Sequence, residues 1–68
     1  MERNLALCDD AIRSNPKAAI AYCNRGFVLH ALERFAEALE SCDRSIELKP
    51  DFAEAHYNRG NSLKKLGR

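Results

Sequence analysis

This sequence has no tryptophan, only two prolines and three glycines, and just three cysteines. So few turn-formers suit packed amphipathic helices. The cysteines, Cys8, Cys23 and Cys42, are odd in number and form no C-x-x-C, and no histidines are paired at zinc-finger spacing. That excludes a disulfide framework and a metal staple, and it fits a reducing, cytoplasmic compartment. Residues 1–16 lack the apolar stretch of a signal peptide, and no run approaches the roughly 20 residues a membrane helix needs. An excess of charge is missing too: eleven basic residues against ten acidic ones give +1. A nucleic-acid binder needs a basic footprint to displace counterions, so nucleic acid is not the expected partner, nor is a membrane. There is no glycine-rich phosphate loop. Cys8, Cys23, Cys42, His30 and His56 assemble no nucleophile, base and orienting group. The expectation is no catalytic residue, no metal and no cofactor.

What is present is repetition. Residues 1–34 laid over residues 35–68 agree at thirteen positions: Leu5/Leu39, Cys8/Cys42, Asp9/Asp43, Ile12/Ile46, Pro16/Pro50, Ala19/Ala53, Ala21/Ala55, Asn24/Asn58, Arg25/Arg59, Gly26/Gly60, Leu29/Leu63, Leu32/Leu66 and Arg34/Arg68. A chain of 68 residues buries only about 60% of its unfolded surface, so a stacked repeat is one way for it to gain a core.

Each half of the period carries a helical pattern. Ala19, Tyr22, Cys23, Gly26, Leu29 and Leu32 recur at three- and four-residue steps, the stripe of one buried face. Gly26 and Gly60 sit inside such helices at a cost of about 1 kcal/mol against alanine, which predicts close approach of a neighbouring helix. Phe35, Ala38, Leu39, Cys42, Ile46 and Leu48 form a second stripe, ended by Lys49-Pro50 because proline disfavours helical geometry just before it. Asp51 with Glu54 predicts a capping box for the helix that follows. Lys17 holds the earlier equivalent place, where the helix start is expected to be looser. Helices are thus predicted near Glu2 to Ser14, Lys17 to Leu32, Phe35 to Leu48 and Phe52 to Leu66. The shared phase of Cys8 and Cys42 puts both in the core. His56 is expected to pack between helices.

A period of 34 with two helices, carrying Tyr22, Gly26, Ala38 and Pro50 at its key places, resembles the tetratricopeptide repeat. Arg25, Leu29, Cys42 and Ser45 depart from its consensus. The resemblance implies an all-α fold of antiparallel helix-turn-helix repeats, an α-solenoid with four helices in the order outer, inner, outer, inner. Residues 1–16 are then the second half of a repeat, 19–52 a complete repeat and 53–68 the first half of another. Both terminal helices lack a partner for one apolar face, the expectation for a section of a longer solenoid. Because the length equals two periods, copies are also expected to associate head to tail or by exchanging helices.

In this family the inner helices line a concave groove. The resemblance places Ile20, Cys23, Asn24, Phe27, His30 and Ala31 there from the second helix, and Glu54, Tyr57, Asn58, Asn61, Lys64 and Lys65 from the fourth. The array is similar to those of O-linked N-acetylglucosamine transferase-like proteins, where an asparagine ladder holds a target's main chain. Asn24 and Asn58 match those positions, and a side-chain amide offers the donor and the acceptor that a peptide unit needs. The implied function is a protein- or peptide-binding scaffold, with Asn24, Asn58, Phe27, Tyr57, Asn61 and Lys64 as contact residues. The carboxylate clamp of chaperone-tail-binding members is not matched: Cys23 and Phe27, or Glu54 and Asn58, stand where its lysine, asparagine or arginine belong. The RNA-reading pentatricopeptide family has a similar period, but the Lys-Pro-Asp-Phe-Ala-Glu-Ala segment and near-neutral charge argue against it.

Overall fold

The computed structural model describes residues 2–67 and consists of four helices, α1 (Glu2–Ser14), α2 (Ala19–Ala31), α3 (Phe35–Leu48) and α4 (Ala53–Lys65). α1 and α3 have the predicted bounds. α2 and α4 start later, after turns at residues 16–17 and 50–51, and stop sooner, at turns over residues 32–33 and 66–67. Consecutive helices pack on each other, α2 also touches α4, and the body measures 34 × 27 × 14 Å. This is the outer-inner-outer-inner order, with α2 and α4 side by side as the inner pair. No helix among the described residues is long and apolar enough to cross a membrane.

The core lies where α2 meets α3. Leu29 and Cys23 of α2 are buried, as are Ala38, Ser41, Cys42 and Ser45 of α3, while Val28 is buried on the side of α2 toward Asn4, Leu7 and Cys8 of α1. Those four α3 residues are all small, and small side chains let two helix backbones come close. The closest approach is at Gly26: a methyl group there would lie 2.6 Å from Cys42 Sγ and 3.3 Å from the Ala38 carbonyl oxygen. The predicted reason for this glycine therefore holds. Gly60, its counterpart on α4, has nothing within 4 Å of the same point among the described residues, so no described helix presses on it there.

The serines of this seam are satisfied despite their burial. Ser45 donates to the Ala19 carbonyl at 2.8 Å, and Ser41 receives the Arg25 guanidinium at 2.5 Å. Arg25 also pairs with Asp9 of α1 at 2.8 Å, so one side chain ties three helices together. One repeat later, Arg59 pairs with Asp43 in the same way at 2.5 Å. Arginine in the place of a consensus leucine thus has a partner ready on the preceding outer helix.

Loop chemistry departs from expectation at one point. α4 is preceded by Phe52, which makes no side-chain cap, and the predicted Asp51–Glu54 capping box is not formed. The Phe52 amide closes a turn onto the Lys49 carbonyl at 3.1 Å, which leaves Asp51 inside that turn, one residue too early to reach the first amides of the helix. Ala18 ahead of α2 has nearly the same backbone angles as Phe52, so the two starts are alike and neither is looser. At the other end of α2, Glu33 and Arg34 donate to the His30 and Leu29 carbonyls, a Schellman motif. That motif puts Glu33 at φ 62°, the left-handed region; Gly67, in the same phase after α4, stands at φ 78°.

Candidate functional site

The inner pair α2 and α4 presents one face to solvent, and on it a cavity of about 350 Å³ is lined by Asn24, Phe27, Glu54, Tyr57 and Asn58. Large apolar side chains stand open around it: Ile20 is 64% exposed, Phe27 59% and Tyr57 70%. The structure thus brings together Asn24, Asn58, Phe27 and Tyr57 of the predicted contact residues. Asn61 and Lys64 lie further along α4 and do not line the cavity, Asn61 half-buried and Lys64 exposed.

The two asparagines are not in the same state. Asn24 is exposed, whereas Asn58 is half-buried and donates through Nδ2 to Cys23 Sγ at 3.4 Å. Cys23 in turn makes a long, weak contact to a Glu54 carboxylate oxygen at 3.9 Å. Only 1% of Cys23 is exposed, so it lies beneath the groove floor and not in the groove, a correction to the sequence reading. The cause is α4 itself: Glu54 and Asn58 roof the position. Tyr57 has the same phase as Cys23 one repeat later, and no helix among the described residues covers it.

The thiols are poor nucleophiles here. Burial, reinforced by the negative charge of Glu54, pushes the Cys23 thiol up. Burial also pushes Cys42 up to about 11. Cys8 is raised by burial and by Asp9, although it is only half-buried and so less of a core residue than its phase suggested. A thiol held protonated neither attacks nor binds metal readily. Among the described residues no three His, Cys, Asp or Glu side chains form a group suited to a metal ion.

Both histidines are tied to structure. His30 Nδ1 lies 3.3 Å from Ser62 Oγ, and its ring meets Phe35 edge-on at 5.1 Å, so it joins α2 to α4 and α3. His56 is exposed, contrary to the expected interhelical packing; its Nε2 is 2.7 Å from the Pro50 carbonyl, which can only accept, so that nitrogen carries the proton.

Other recesses lie between neighbouring helices. Tyr22, Arg25, Glu37, Glu40, Ser41 and Arg44 line a polar cleft of about 240 Å³ between α2 and α3, with the Arg44 guanidinium 6.0 Å from the Tyr22 ring. An apolar recess of about 360 Å³ lies between α1 and α2, where Leu7, Ile20 and Asn24 are among the lining residues. Glu54, expected in the groove, does line the cavity, whereas spacing alone did not flag the Arg25–Asp9 pair; the recurrence of Asp9/Asp43 with Arg25/Arg59 was the available signal for it.

A comparison with curated proteins found no match. A family model described as Tetratricopeptide repeat matches residues 19–52, which is α2, α3 and the loop that leads to α4. That segment is half of the 68 residues, its two helices form the hairpin that the repeat requires, and the chain belongs to the tetratricopeptide repeat family.

Proposed function

We propose that this chain is a protein-interaction module that holds an extended stretch of a partner polypeptide across the face shared by α2 and α4. Membership of the tetratricopeptide repeat family supports a scaffold for protein contacts in general, and such repeats are typically not catalysts. The observation that carries the finer reading is the cavity in which Asn24, Asn58, Phe27, Tyr57 and Glu54 converge. Extended peptides expose unpaired main-chain amides and carbonyls; asparagine answers both with one side chain. The resemblance to the arrays of O-linked N-acetylglucosamine transferase-like proteins supports the same use of Asn24 and Asn58. Phe27 and Tyr57 add apolar contact, and Asn61 and Lys64 extend the surface along α4. The partner on this reading is a cytoplasmic protein rather than nucleic acid, and no cofactor takes part.

Fluorescence anisotropy with a panel of unrelated extended peptides tests this. Asn24→Ala combined with Asn58→Ala is expected to weaken all of them by about tenfold, two hydrogen bonds' worth, with helicity unchanged by circular dichroism. Unchanged affinity removes the reading.

Self-association is the second reading, favoured by the open Gly60 face of α4 and by Leu7, 61% exposed on α1. If α1 of one copy lay on α4 of another as α3 lies on α2, Asn4 and Leu7 would occupy the places of Ala38 and Ser41. Those places are 0% and 3% exposed and hold small residues. The larger side chains oppose an in-register stack, so peptide binding ranks first. Light scattering decides: association gives a mass that rises with concentration, and a constant monomer mass eliminates it.

A further inference from the structure

We propose that the cavity between α2 and α4 receives the guanidinium group of an arginine carried by the bound polypeptide, with Glu54 as its counter-charge. This deepens the peptide-binding reading and rests on it. Glu54 is exposed at the start of α4 and lines the cavity, yet it takes part in no ion pair among the described residues. Among the described residues its side chain makes one polar contact, the long thiol contact to Cys23. Any peptide laid across the groove covers that carboxylate. A neutral or acidic side chain above it leaves a charge stripped of water without compensation, which is costly, whereas a cation restores the balance.

The lining selects among cations. Phe27 and Tyr57 offer ring faces that are largely exposed, and a guanidinium lies over such faces more favourably than a compact ammonium. Arginine also brings five N–H donors in a planar fork, and the cavity supplies acceptors to match: two carboxylate oxygens of Glu54 and the amide oxygens of Asn24 and Asn58. At about 350 Å³ the space is at the small end of ligand sites, which run from roughly 300 to 1,000 Å³, so it suits one long side chain. The lysines of α4 do not cancel this acidity. Lys64 stands about 15 Å along the helix axis from Glu54 at 1.5 Å per residue, well past the roughly 8 Å screening length of physiological salt.

The test uses one alanine-serine host peptide with a single central arginine, lysine or citrulline, titrated against the 68-residue chain by fluorescence anisotropy. Citrulline keeps arginine's shape and loses its charge. The arginine peptide is expected to bind about five- to tenfold tighter than the citrulline peptide, with lysine between them. Glu54→Gln is expected to abolish that preference, bringing the arginine and citrulline affinities together, while the helicity stays as it was. Equal binding of arginine and citrulline, lysine tighter than arginine, or a preference that survives Glu54→Gln overturns this proposal alone. Binding of none of the three overturns the groove reading together with it.

Discussion

α2 and α4 are two copies of one inner helix, and they differ in what lies on them. Gly26 of α2 is pressed against α3, while Gly60 of α4 faces open space. Cys23 is buried beneath Glu54 and Asn58, while Tyr57, in its phase, is 70% exposed. The outer helices repeat the contrast: Cys42 is fully buried in α3 and Cys8 half-buried in α1. A repeated residue therefore marks a place designed for a neighbour, and its energetic weight depends on whether that neighbour is present.

The largest expected effect separates the two outer-helix thiols. An unfolded thiol ionises near 9.0, whereas folded Cys42 holds its proton up to about 11. Between those values the unfolded chain has lost a proton that the folded one keeps, so stability that is full below 9 falls as pH rises toward 11. The loss is about 2–3 kcal/mol by urea unfolding. Cys42→Ala is expected to flatten that alkaline decline, and Cys8→Ala to leave most of it. Equal effects of the two changes would dissolve the contrast between α3 and α1.

A smaller but sharper effect is a difference of sign. Gly26→Ala places a methyl group against Cys42 Sγ and the Ala38 carbonyl, and is expected to destabilise by about 1–2 kcal/mol after its helix-propensity gain. Gly60→Ala meets nothing and is expected to stabilise by up to about 1 kcal/mol. Denaturant midpoints that shift in the same direction for both would break the comparison.

The helices were legible because apolar spacing and the twin prolines act locally. α1 and α3 end where the pattern predicts, at Ser14 and Leu48. Three things were not legible. Serine looks polar in a sequence, so the burial of Ser41, Ser45 and Ser62 depended on acceptors and donors supplied by other helices. Asp51 looked like a cap, but a turn shifted the helix start by one residue. The left-handed Glu33 was hidden because only its counterpart, Gly67, carries the residue such a backbone favours. For the candidate site, the grouping of Asn24, Phe27, Tyr57 and Asn58 followed from helical phase. The depth of Cys23 did not, since it depends on how closely α4 approaches α2.

The Asp9–Arg25 and Asp43–Arg59 pairs join each outer helix to the inner helix that follows, whereas α2 and α3 meet through buried small residues. Partly hydrated charges yield to dissolved ions; a dry seam does not. In an array built on this plan, a rise in salt concentration is therefore expected to weaken the charged joints between repeats before it weakens the hairpins.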